Sequence, residues 1–115
     1  MNGENRSTKR NRKRLPLRFG VEEANRIGFT DDLSETGLFI KSAIVQNPNS
    51  ILKIELTLPG GEVVVLTGRV MWAKKVPPNL LRRLKGGMGI RILGFQTGET
   101  NYRRLCADLT AALVR

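Results

Sequence analysis

Apolar and polar residues alternate along most of this chain. From Ile51 to Leu58 the alternation is clean: Leu52, Ile54, Leu56 and Leu58 share one face, Lys53, Glu55 and Thr57 the other, the period of a strand with one buried side. A shorter first strand sets Leu15, Leu17 and Phe19 against Arg14, Pro16 and Arg18, and its proline, which cannot donate to a ladder, requires an edge or a strand start. Arg26 to Thr30 leads into a second strand that ends at Ser34; after the turn Glu35-Thr36-Gly37, Leu38 to Ser42 returns as the third. Gly37 stands where so abrupt a reversal needs a positive φ or a close backbone approach. Val63 to Lys75 is the longest strand candidate, apolar on both faces, with Gly68 as a candidate bulge and Trp72 assigned to the barrel core beside Val64, Leu66 and Val70. Val76 to Lys85 reads as a solvated loop carrying Arg82, Arg83 and Lys85, and Gly86 to Ile92 as the last strand.

The period changes once. Over Glu99 to Val114, Tyr102, Leu105, Cys106, Leu109, Ala112 and Leu113 recur at helical spacing, with Thr97 or Gly98 as the cap. Six short strands and one terminal helix predict a mainly β fold, a six-stranded antiparallel β-barrel with the C-terminal α-helix packed against it. Residues 1 to 13 carry no apolar periodicity and read as mobile. The expected organisation is a flexible basic arm at 1–9 and a single domain at 10–115.

Charge changes this picture. The chain has 20 Lys plus Arg against 10 Asp plus Glu, a net charge of +10, so it should seek polyanions or phosphates. Arg6, Lys9, Arg10, Arg12, Lys13, Arg14 and Arg18 fall in a span without acidic residues. With no histidine, Ser-His chemistry and most zinc sites are excluded, and the single cysteine, Cys106, excludes an internal disulfide. No apolar run is long enough for a signal peptide or a bilayer span, so a soluble cytoplasmic protein is expected.

The candidate chemistry lies in Asp32-Leu33-Ser34-Glu35-Thr36-Gly37. Alternation sends Leu33 inward and sets Asp32 and Ser34 side by side at the barrel rim. A carboxylate beside a hydroxyl suits a planar partner with adjacent N–H groups, and arginines upstream suit the phosphates of the same molecule. Together they predict one nucleotide site.

These residues resemble the signatures of the PilZ domain, a bacterial receptor module for the second messenger cyclic di-GMP. Arg10-Asn11-Arg12-Lys13-Arg14 before the first strand is similar to the family's Arg-x-x-x-Arg pair, and Asp32 to Gly37 to its Asp/Asn-x-Ser-x-x-Gly turn. Gly68-Arg69-Val70-Met71-Trp72 and Gly87-Met88-Gly89-Ile90-Arg91-Ile92 extend the likeness over about residues 9 to 113. The resemblance implies a PilZ-type barrel that binds cyclic di-GMP through Arg10, Arg14, Asp32, Ser34 and Gly37, with Arg18 as a further phosphate contact in the overlapping pair Arg14/Arg18. It implies a sensor and not an enzyme, with no catalytic residues, no metal and no cofactor beyond the ligand. The arm would order on binding and signal to a downstream protein partner, the receptor being a monomer or weak homodimer.

Two other readings compete. A basic β-barrel could bind single-stranded nucleic acid, although the aromatic residues fall mostly at interior positions or strand ends and leave no evident stacking platform. A PilZ-like module could also serve only as a protein-interaction adaptor.

Overall fold

Alternation drives closure of a barrel. A computed structural model describes residues 9–114 and contains β1 (Asn11–Arg12), β2 (Pro16–Gly20), β3 (Arg26–Leu33), β4 (Gly37–Lys41), β5 (Ile51–Thr57), β6 (Val63–Lys74), β7 (Gly87–Thr97) and α1 (Glu99–Val114). β2, β3, β4, β7, β6 and β5 pair antiparallel in that order, and β5 returns to β2, closing six strands. The arm expected over residues 1–9 lies, apart from Lys9, outside the described residues.

The seventh strand corrects the expectation of mobility up to Lys13. β1 pairs with the end of β3, Asn11 opposite Leu33 and Arg12 opposite Asp32, on the same side of β3 that β2 occupies further along. β1 and β2 are thus one strand with a gap, and Thr30 fills it: its Oγ1 accepts from the Leu15 N–H at 2.8 Å and donates to the Lys13 carbonyl at 2.5 Å. The backbone groups that the interruption would strand are satisfied, so polar composition does not prevent ordering here.

Leu52, Ile54 and Leu56 of β5 meet Leu17 and Phe19 of β2, Leu38 and Ile40 of β4, and Leu66, Val70 and Met88 in the barrel interior. Gly98 supplies the helix cap, its carbonyl accepting from the Tyr102 N–H at 2.9 Å. Tyr102 and Cys106 of α1 are buried against this core, with Leu105 and Leu109 half-buried beside them. The apolar face fades towards the C-terminus, because Ala112 is exposed. Burial pushes the Cys106 thiol up to about 11 from its ordinary 9.0. Two consequences can be checked. Cys106 should react with a thiol reagent at pH 8 only after denaturant is added. The unfolded thiol ionises first, so stability is full below pH 9 and should fall as pH rises from 9 towards 11, measured by urea unfolding.

Two further corrections concern β6 and β7. β7 continues to Thr97 instead of ending at Ile92, with Gly94 opposite Thr67 and Phe95 opposite Leu66. The pairing of β6 with β7 shifts register three times: between Val65 and Leu66, between Thr67 and Gly68 where a bulge was expected, and between Val70 and Trp72, where Met71 is the extra residue of β6. One extra residue inverts the sidedness of all that follows, and Trp72 leaves the core for the surface, 47% exposed.

Candidate functional site

One row of cross-strand neighbours builds the floor of the site. Arg12 lies opposite Asp32, Asp32 opposite Phe39, Phe39 opposite Gly89, and Gly89 opposite Trp72, across four adjoining strand pairs. Gly89 is small for a reason: a Cβ there would overlap the Trp72 indole. The ring therefore crosses over β7 and leans on Phe39, with ring centroids 5.2 Å apart at 33°. Phe39 is buried beneath, so Trp72 presents its outer side to the cleft.

The cleft above this floor measures about 670 Å³ and is lined by Arg10, Asp32, Thr36, Gly37, Phe39, Met71, Trp72, Lys85, Gly89, Ile90 and Arg91. Arg10 Nε donates to Asp32 Oδ1 at 2.8 Å, and its Nη2 lies 2.7 Å from the same oxygen. Lys85 Nζ stands 3.5 Å from Asp31, 3.8 Å from Asp32 and 4.6 Å from the centre of the Phe39 ring. Arg12 reaches Asp31 at 3.5 Å. The cationic partners are about half exposed or more, so each pair contributes about 1 kcal/mol at most. A ligand with better donors can displace them.

The sequence-derived candidates do not all converge. Arg10, Asp32 and Gly37 share the cleft. Arg14 does not line it; its guanidinium stacks on Phe29, 3.9 Å from the ring centre, beside a second cleft of about 350 Å³ that also includes Arg12, Lys13, Thr30, Asp31 and Lys41. Ser34 is fully buried, and its hydroxyl serves its own turn instead of standing beside Asp32: Oγ accepts from the N–H groups of Thr36 and Gly37 at 3.3 and 3.1 Å and donates to the Gly37 carbonyl at 3.2 Å. Of the two roles open to Gly37, close approach applies, because a Cβ there would press on the Ile90 carbonyl, whereas its φ is not positive. Arg18 faces another groove, with Ile27, Glu55 and Val63.

The lining residues that sequence reasoning did not place at the site include Trp72, which it assigned to the core, and Phe39, Met71, Lys85 and Arg91. For Trp72 the available signal was the glycine at 89, since a side chain–free position in a buried strand marks a close neighbour. Lys85 carried no such signal, since its place against Asp31 and Asp32 depends on how the 75–86 connection folds back.

Helix α1 holds both halves of the site. The Tyr102 hydroxyl donates to the Ser34 carbonyl at 2.6 Å in the core, and burial pushes its pKa far above the ordinary 10.0, so it stays a donor. Arg103 pairs with Glu35 at 3.0 Å and with Glu99 at 2.9 Å; the bond to Glu99 raises its pKa further. On the arm, Asn11 is buried and its Nδ2 donates to Thr110 Oγ1 at 3.0 Å.

Among the described residues no group of His, Cys, Asp and Glu side chains could hold a metal ion, and no helix is long and apolar enough to cross a membrane. What the geometry offers is a rim cleft with one exposed indole, one carboxylate and several cations. The sequence matches the family model of the PilZ domain over residues 4–108. No curated protein gives a significant match.

Proposed function

The chain belongs to the PilZ domain family, a family of receptor-type binding domains, and we propose that its cleft binds cyclic di-GMP. The observation that carries this reading is the convergence of Arg10, Asp32 and Gly37 with the exposed face of Trp72 on one cleft. Guanine offers adjacent N1–H and N2–H donors, which Asp32 accepts in charge-assisted bonds, while its ring lies on the indole. As guanine takes the carboxylate, Arg10 is released from it and turns to a phosphate. Arg14 leaves Phe29 for the same ligand, which is the form that reordering of the arginine arm takes here. Ser34 and Gly37 act by holding the turn that presents Asp32.

This reading uses Arg10 with Arg14 as the arginine pair and leaves Arg18 out, because Arg18 faces a different groove. Displacement of Arg10 changes the surface around β1, which is joined to α1 through Asn11 and Thr110, and a protein partner in the cytoplasm reads that change. Calorimetric titration of the full chain tests the proposal. Saturable binding at micromolar cyclic di-GMP is expected, and no heat at tens of micromolar ligand rejects it.

One observation favours the nucleic-acid reading: Trp72, assigned to the core by alternation, is an exposed stacking surface. A strand-tracking protein stacks successive bases on several aromatic side chains, and here Phe39 lies buried under Trp72. Single-stranded oligonucleotides are therefore expected to bind weakly, with affinity falling steeply as salt rises; tight binding that persists at 0.2 M salt would reverse the assignment.

A further inference from the structure

Most of the cations around the cleft already have a counter-ion. Arg10 is held by Asp32, Arg12 by Asp31, and Lys85 stands between the two. Two are not. Arg69 of β6 and Arg91 of β7 are direct cross-strand partners, both exposed, and among the described residues neither has a carboxylate within 4.0 Å. The acidic residues of the adjoining groove, Glu35 and Glu99, are both paired with Arg103. Like charges directly opposite one another in a ladder, with Cβ atoms about 5 Å apart, destabilise the sheet.

One of the pair belongs to the cleft and the other stands beside it: Arg69 is not among the lining residues but lies directly across the ladder from Arg91. Arg91 lines the cleft, and its other neighbour across the sheet is Gly37, which sets no side chain beside it and lets β4 and β7 approach closely. Gly89 and Arg91 are two residues apart on β7, so their side-chain positions share a face and the arginine pair lies one row from the Trp72 ring. Arg10 stands at the opposite side of the floor, on Asp32. An anion bound between Arg69 and Arg91 would relieve their repulsion and face the same base that lies on Trp72.

We propose that Arg69 and Arg91 form a phosphate site at the β6–β7 side of the cleft, taking a phosphate of the nucleotide whose base stacks on Trp72. The proposal rests on the reading of the cleft as a cyclic dinucleotide site, and adds to it that phosphate is held on both sides of the base: by the arm on one and by the barrel wall on the other.

The test uses the full chain with R69Q, R91Q and the double variant, read by calorimetry with cyclic di-GMP. In parallel, the Nε–H signals of Arg69 and Arg91 are followed by NMR while inorganic phosphate is added. Each single variant should lose about tenfold or more in affinity, since each removes a charge-assisted contact. The thermal midpoint of the ligand-free double variant should stay level or rise, because the repulsion is gone; this separates lost binding from lost folding. Equal affinity of wild type and both single variants overturns the phosphate site and leaves the cyclic di-GMP reading intact. If the wild type takes no cyclic di-GMP, the phosphate titration decides. Saturable movement of both arginine signals then keeps the anion site while the dinucleotide reading falls, and unmoved signals remove both.

Discussion

Asp32→Ala is expected to lower affinity for cyclic di-GMP by about a hundredfold or more while shifting the thermal midpoint by only a few degrees. The two effects separate because the carboxylate's present partners are weak and its ligand partners are strong. Its pairs with Arg10 and Lys85 involve cations about half exposed, worth about 1 kcal/mol or less each to the fold. Two charge-assisted bonds to guanine, shielded from water by the indole, are worth roughly 1.5 to 3 kcal/mol each, and about 2.7 kcal/mol is already a hundredfold. Asp32→Asn keeps one acceptor and sets a donor against a guanine N–H, so it should lose nearly as much. Arg10→Ala should cost less, about tenfold, because it removes a phosphate contact but also frees Asp32 from its competitor. Calorimetry beside a melting curve measures each pair of values, and an unchanged affinity in both Asp32 variants would remove this carboxylate from the site.

The largest effect on stability is expected at Tyr102. Its ring is fully buried against Phe95, with centroids 5.5 Å apart, and its hydroxyl is the donor to the Ser34 carbonyl. Tyr102→Ala should cost about 3 to 5 kcal/mol in urea unfolding, the range for deleting a large buried aromatic, out of a total of roughly 5 to 15 kcal/mol for a domain. Tyr102→Phe keeps the packing and leaves the Ser34 carbonyl without its buried donor, a loss of about 1 to 3 kcal/mol. It should also weaken cyclic di-GMP binding severalfold, because the turn carrying Gly37 loses its anchor. Loss of stability in Tyr102→Phe with ligand affinity untouched would show that the anchor does not reach the site.

The barrel was legible because its inward residues alternate without interruption in β5 and β2, and period alone assigns Leu52, Ile54, Leu56, Leu17 and Phe19 to the interior. The helix was legible through Tyr102 and Cys106, four residues apart. Trp72 was misread for a physical reason: one bulged residue after Val70 turns the remaining side chains to the opposite face, and a bulge leaves no mark in composition. Ser34 was misread because strand alternation was carried one residue past the end of β3 into a turn, where the hydroxyl bonds its own backbone. Order at Asn11 and Arg12 escaped notice because it depends on Thr30 and Thr110, 19 and 99 residues away from Asn11 along the chain.

Trp72 is the single tryptophan of the chain and lines the cleft, so its fluorescence reports on the site directly. Addition of cyclic di-GMP is expected to quench and shift its emission to a saturating endpoint, with the midpoint moved at least about tenfold higher in Asp32→Ala. Emission that stays constant up to tens of micromolar ligand, or that saturates at the same concentration in Asp32→Ala, would contradict a cyclic dinucleotide held between the indole and this carboxylate.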